Sequence, residues 1–312
     1  MLAHFSSRIA LFRNFSFTLI ILATFFSALN VGITYIALSW HILSLYNDVI
    51  ALMFFIISWW ISGVMLSPFT GYLIDRIPRQ YIIAGAAAAR MLLILIYLMM
   101  SNNMSSLTET YIFTGIWGII FAFQSPAVLI FVRELLPDDQ QLLSANSTID
   151  GIFEIGMVIG MSMGGIFITQ FSINTILYFL FSFSFVTLLC TLKLRPTRII
   201  EPDNEKSFIG SWKTVLTFFK KKYFLVYYYS AQIIFAAMTF IVPAFSAPYA
   251  KNILHASAKQ FSILETLYSV GFIIGTLILP WLAEYLGKIK LLISIVILVA
   301  CTYLMLVFTQ DV

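Results

Sequence analysis

Long apolar runs, broken by short polar stretches, set the rhythm of this chain. They extend over Phe15–Trp40, Val49–Thr70, Tyr81–Met100, Tyr111–Val132, Leu142–Ile168, Thr175–Leu192, Tyr223–Ala247, Phe261–Leu282 and Leu291–Thr309. A hydrocarbon core about 30 Å thick takes roughly 20 apolar residues to cross as a helix. None of the runs shows the period-two alternation of barrel strands, which are about ten residues long. The pattern predicts an all-α integral membrane protein with about nine transmembrane helices. Arg8 and Arg13 precede the first run as they would in a secretory signal. That run continues without a small-residue cleavage site, so it predicts a first transmembrane helix.

Composition agrees, because 61% hydrophobic and 10% charged residues leave too few charges to coat a water-soluble globule. Basic residues then orient the bundle, since cytoplasmic loops are enriched in them. Alternate connections hold Arg8 and Arg13, Arg76 and Arg79, Arg133, the cluster from Lys193 to Lys222, and Lys288 with Lys290; the opposite side has Lys251 and Lys259. The expected arrangement is a multi-pass protein with a cytoplasmic N-terminus and an outward C-terminus. The same loops account for the net charge of +4 without a nucleic-acid partner. Cys190 and Cys301 both fall in apolar runs, which supports neither a disulfide framework nor a thiolate metal site.

One connection is long, charged and contains Pro196 and Pro202. It divides the chain into a six-helix bundle over 1–192, a cytoplasmic linker over 193–222, and three further helices over 223–312. Within the linker, Phe208, Trp212, Val215, Leu216 and Phe219 share one helical face and precede Lys220, Lys221 and Lys222. That spacing predicts an amphipathic helix, lying on the cytoplasmic leaflet or packed against helix ends.

The two sides of the linker repeat a motif. The second-to-third connection reads GYLIDRIPRQ, Gly71 to Gln80, and the eighth-to-ninth reads PWLAEYLGKI, Pro280 to Ile289. Superposition places Leu73 on Leu282, Asp75 on Glu284 and Arg79 on Lys288. An acid followed four residues later by a base suits a tight turn in which the acid caps a helix N-terminus and the base holds an adjoining helix end or a lipid phosphate. Gly71, Leu73, Asp75, Arg76 and Arg79 resemble the major facilitator superfamily signature G-x-L-x-D-R-x-G-R-K/R, with Pro78 in place of glycine. Ser125 to Ile168, with Pro126-Ala127, Leu136-Pro137 and Ala145-Asn146, resembles the enterobactin-exporter and macrolide-efflux branch of that family. Gly32 and Ala37-Leu38-Ser39-Trp40 in the first span fit the same branch.

Gly156, Gly160, Gly164 and Gly165 follow a small-xxx-small rhythm that lets helices approach closely. They also resemble the antiporter signature G-x-x-x-G-P-x-x-G-G, with Met161 where proline is usual. The resemblance implies a major facilitator-type bundle in a bacterial inner membrane, working as a secondary active transporter that exports a small organic substrate such as a drug or siderophore. It implies no cofactor, the proton gradient being the drive. Family members have two six-helix halves, so this chain is expected to lack three helices, and a partner chain, an inactive remnant and an importer stand as alternatives.

Ionisable side chains within a span are candidates for function. They are Arg90 in the third span, Asp150 and Glu154 in the fifth, and Glu265 in the eighth. Asp150 and Glu154 lie four apart on one helical face, where two acids in low dielectric do not both ionise readily. One reading makes them the proton-exchange site; the other pairs them with Arg90 or Arg133. Asn30 and Gln124 are candidate cavity amides, since a buried amide in lipid needs a partner. Tyr227, Tyr228, Tyr229 and Gln232, with Phe121 and Phe123, are candidate aromatic and amide walls. The histidines His4, His41 and His255 are far apart, and the chain has no H-E-x-x-H, G-x-S-x-G, C-x-x-C or phosphate-cradling glycine loop. An enzyme and an ATP-driven pump are therefore disfavoured.

Overall fold

A computed structural model describes residues 11–100, 106–136, 138–195 and 245–306, with single positions at 217, 222 and 230. Its helices are α1 (Phe15–Tyr46), α2 (Val49–Ile74), α3 (Arg79–Met100), α4 (Leu107–Leu135), α5 (Asp139–Gln170), α6 (Ile173–Leu192), α7 (Ala258–Leu286) and α8 (Lys288–Leu306). Residues 245–252 are also helical, and no strand occurs among the described residues. By length and composition, six of the described helices, α1 to α6, can cross a membrane. The seventh expected span and the amphipathic linker helix fall almost wholly outside the described residues, as do Tyr227, Tyr228, Tyr229 and Gln232.

Short polar residues punctuate the apolar runs. Asn14 Oδ1 accepts from the backbone N–H of Ser16 and Phe17, and Asp48 Oδ1 from Ile50, so α1 and α2 start where carboxamide and carboxylate groups satisfy orphan donors. Asp138 does the same for Gln141 in α5, and Ser172 for Thr175 in α6. Asn47 ends α1 in the left-handed region at φ 48°, and Gly287, at φ 78°, separates α7 from α8. The repeated loops consequently differ from the sequence expectation. Asp75 stands at the C-cap of α2 instead of capping α3, and Glu284 lies within α7 while Lys288 opens α8.

Packing is closest between α1 and α5, followed by α2 with α4, then α1 with α6 and α7 with α5, then α3 with α4 and α6. Glycine makes the first of these possible. A Cβ on Gly156 would stand 2.7 Å from Ala28 Cβ, one on Gly160 2.5 Å from the Leu29 carbonyl oxygen, and one on Gly164 3.0 Å from Ile36 Cβ. Gly32 answers from α1, where a Cβ would meet the Met157 carbonyl oxygen at 2.6 Å. Gly165 points to the other side and abuts Ser262 of α7, while Gly118 of α4 lies against the Trp59 backbone of α2.

Two apolar clusters fill the bundle. One gathers Ile33, Leu43, Phe55, Trp117, Leu180 and Phe261; the other gathers Phe17, Ile20, Ile83, Phe131, Val132 and Leu194. Between them α1 contributes Ser27 and Asn30, α4 Gln124 and α6 Ser184, all buried. The core therefore has a polar waist.

Adding one methyl group at Gly160 forces the α1 backbone away, and overpacking of this kind costs about 1–3 kcal/mol. Gly160→Ala is expected to lower the melting temperature in detergent. Gly71→Ala, with no atom within 4 Å of the added carbon, is expected to leave it unchanged or slightly raised. Equal effects of the two substitutions in a thermal-unfolding series would contradict the seam.

Candidate functional site

Arg90 is carried into the waist by α3, directly after the narrow run Ala86–Ala89. Its side chain is 1% exposed. A guanidinium offers donors only, and removing it from water is tolerable when those donors find acceptors. Arg90 Nη1 donates to Ser27 Oγ on α1, Nη2 donates to Gln124 Oε1 on α4, and the guanidinium carbon lies 5.3 Å from the centre of the Trp117 ring. Nε has no hydrogen-bond partner among the described residues. No carboxylate lies within salt-bridge distance of Arg90 among the described residues. The ion pair that the sequence suggested for it is replaced by a hydroxyl, an amide and an indole face.

Ser27 and Gln124 also line a cavity of about 240 Å³ between α1, α4 and α5. Thr24, Phe121, Ser125, Val128, Leu129, Ile149, Asp150 and Phe153 complete its wall. Asp150 is the one charged side chain among the described residues of that lining. The Phe121 and Phe153 rings approach to 6.2 Å at 49°, closing the cavity between α4 and α5. Glu154 follows one helical turn after Asp150, partly buried and outside the lining. Neither acid has an ion-pair partner among the described residues, so Arg133 does not hold them.

Two of the expected site residues sit elsewhere. Asn30 is fully buried and donates through Nδ2 to Ser184 Oγ at 2.9 Å, which ties α1 to α6 away from the cavity, and its Oδ1 has no partner among the described residues. Glu265 is partly buried where α7 meets α1 and the segment 245–252. There Ser246 hydrogen-bonds its carboxylate, and the Tyr35 hydroxyl lies 3.5 Å from the same serine. Around it Trp40 stacks on Phe261 at 5.8 Å, Ser162 bonds Thr266 at 2.8 Å, and Ser262 donates to the Met161 carbonyl at 2.8 Å. Lys251 closes this contact by donating to the Leu43 carbonyl near the end of α1, and partial burial lowers its ammonium pKa below the usual lysine value.

In the repeated loop, Arg79 Nε lies 3.3 Å from Glu134 Oε1, joining the start of α3 to the end of α4. The Arg76 guanidinium lies 4.2 Å from the Tyr72 ring centre. Asp75 and Gly71 are exposed. The side chains of Glu284 and Lys288 lie outside the described set.

Ser27, Thr24, Ser125 and Phe153 were not singled out by the sequence. Ser27, Asn30 and Thr34, at i, i+3 and i+7 of one apolar run, are the signal that marks the polar face of α1. Among the described residues no group of three or more His, Cys, Asp or Glu side chains could hold a metal ion.

A family model for the Major Facilitator Superfamily matches residues 20–312. The uncharacterized MFS-type transporter YceJ of Bacillus subtilis (strain 168) is 25% identical over 193 residues, 61% of this chain and 48% of that protein. The chain thus spans about half the length of this curated relative. Two crystal structures of the nucleoside transporter NupG share the fold. A mutant form gives a TM-score of 0.69 at 14% identity over 88% of this chain, and a second NupG structure gives 0.64 at 16% over 89%, each covering 69% of NupG.

Lysine is a point charge and cannot reach α1 and α4 together as the guanidinium fork does. Arg90→Lys is expected to lose one of the two bonds and about 1–3 kcal/mol of stability, read as a fall in melting temperature. A melting temperature equal to that of the parent chain would show that the double tether carries no load.

Proposed function

The chain belongs to the major facilitator superfamily, and we propose that it is a secondary active transporter which exports a small organic molecule in exchange for protons. Family membership places it among transporters and not among enzymes. The observation that carries the proposal is the cavity between α1, α4 and α5, with Asp150 in its wall and Arg90 tethered immediately behind Ser27 and Gln124. Charged groups are kept within a membrane bundle where they bind an ion or substrate or line a wet cavity. A carboxylate that faces the cavity meets substrate and protons at the same place. Occupation by one disfavours the other, which is the coupling that exchange requires.

Glu154 is assigned as the second member of the proton site, because it stands one turn from Asp150 on the same helix. The pair shares its negative charge, and Arg90 holds a compensating positive charge nearby. The outer contact of Tyr35, Ser246 and Glu265 belongs to the element that opens and closes as the bundle rocks around the cavity. Arg79 and Glu134, with Asp75 and Arg76, serve the opposite end. The glycine seam of α1 and α5 lets these helices move as one body. Outward direction is supported by the resemblance of Ser125–Ile168 to an exporter branch. A cavity of about 240 Å³ lies just below the usual range for drug-sized ligands and favours a small drug over a siderophore. The basic loops support a cytoplasmic N-terminus in a bacterial inner membrane.

In liposomes with an imposed pH gradient, candidate drugs and siderophores are expected to elicit proton flux from the purified chain. Glu154→Gln and Asp150→Asn are each expected to reduce substrate-dependent flux about tenfold or more, a loss of at least about 1.4 kcal/mol in coupling. Flux unchanged in both variants, or absent for every compound with folded protein, would overturn the proposal.

A further inference from the structure

Arg90 determines which atoms its two partners offer to a ligand. A guanidinium can only donate, so Ser27 must turn an oxygen lone pair to Nη1 and Gln124 must turn Oε1 to Nη2. Their hydrogens are what remain. The Ser27 hydroxyl proton and the Gln124 amide N–H groups are left for the cavity that both residues line. An amide that could otherwise be flipped end for end is thereby held with its nitrogen available to a ligand. On another part of the wall Asp150, when ionised, can only accept. Between these poles Phe121 and Phe153 offer two ring faces on different helices, which attract both another ring and a cation.

We propose, resting on the transporter reading above, that the cavity recognises a small aromatic amine that also carries an acceptor oxygen. The protonated amine lies against Asp150, the ring lies by Phe121 and Phe153, and the oxygen accepts from Gln124 and Ser27. Gln124 is the specificity-determining residue for the oxygen, and Arg90 is the positioning residue that fixes the polarity of the amide. A cavity of about 240 Å³ accommodates a single-ring molecule. An organic anion meets the wrong pole, because Asp150 faces it while both terminal nitrogens of Arg90 are already engaged behind the wall.

The test uses the full chain in lipid nanodiscs and titration calorimetry with three probes. Procaine has ring, amine and ester carbonyl; N,N-diethyl-3-phenylpropylamine lacks the oxygen; benzoate is an anion without the amine. Procaine is expected to bind about tenfold more tightly than the phenylpropylamine, the worth of one good hydrogen bond to an oriented donor, and benzoate is expected not to bind measurably. Gln124→Glu keeps an acceptor for Arg90 but removes the N–H groups, so the tenfold preference for procaine over the phenylpropylamine should fall to about one, the added charge acting on both amines alike. Ser27→Ala should shrink the same ratio more weakly, and size-exclusion profile and melting temperature verify that both variants are folded. Benzoate binding as tightly as procaine, a procaine preference kept near tenfold in Gln124→Glu, or no binding by folded parent chain would each overturn the assignment. Proton flux driven by compounds other than aromatic amines, with no procaine binding, would discard this substrate class and retain the transporter.

Discussion

One guanidinium fixes the middle of this bundle. Lipid offers nothing to a charge, so Arg90 must find acceptors on neighbouring helices or remain a severe penalty. It finds them on α1 and α4, with the Trp117 face alongside. The three helices are therefore held at one level by a single side chain. Apolar packing above and below does not specify such a level, because leucine and isoleucine contacts change little when one helix slides past another. The Asn30–Ser184 bond adds α6 to the same stratum. The polar waist sets the register that the two apolar clusters then fill.

The glycine seam sets the other dimension, the distance between α1 and α5. It begins at Gly156 and continues through Gly160 and Gly164, bringing backbone against backbone. The α5 residues in the cavity wall, Ile149, Asp150 and Phe153, all precede Gly156. The cavity thus lies on the stretch of α5 before the small side chains begin. The same glycines leave no room for a methyl group further along, so this cavity opens where the two helices are not yet in backbone contact.

Much of this architecture was legible in the sequence. Spans of about twenty apolar residues announce themselves, and Arg90, Asp150 and Gly160 stand out against an oily background. What escaped were relations between helices. Ser27 carries no alarm in a run of Ala, Phe and Leu, although it accepts one of the two bonds that make Arg90 tolerable. Sequence points Arg90 toward an acid because charge neutralisation is the familiar solution; here neutral oxygens satisfy its donors instead. A buried amide such as Asn30 needs company, which suggests a cavity in sequence, and Ser184 supplies it from a helix more than 150 positions away. Glu265, with no local partner in sequence, meets a serine from a different segment. The loop acid Asp75 has the right spacing for an N-cap, but Pro78 delays α3 until Arg79 and leaves that acid at the end of α2.

Every residue in the cavity wall lies between Thr24 and Phe153, and the outer contact sets Tyr35 of α1 and Ser162 of α5 against Ser246 and Thr266. The first five helices thus carry the whole of the wall and one side of the outer contact. On the proposed function, a recombination event that exchanged those five helices with a relative's would transfer the ligand preference as a block, yet it would also bring a foreign surface to the resident α7. Diversification of cargo in such a lineage is then easier by point changes around the wall than by shuffling of one half.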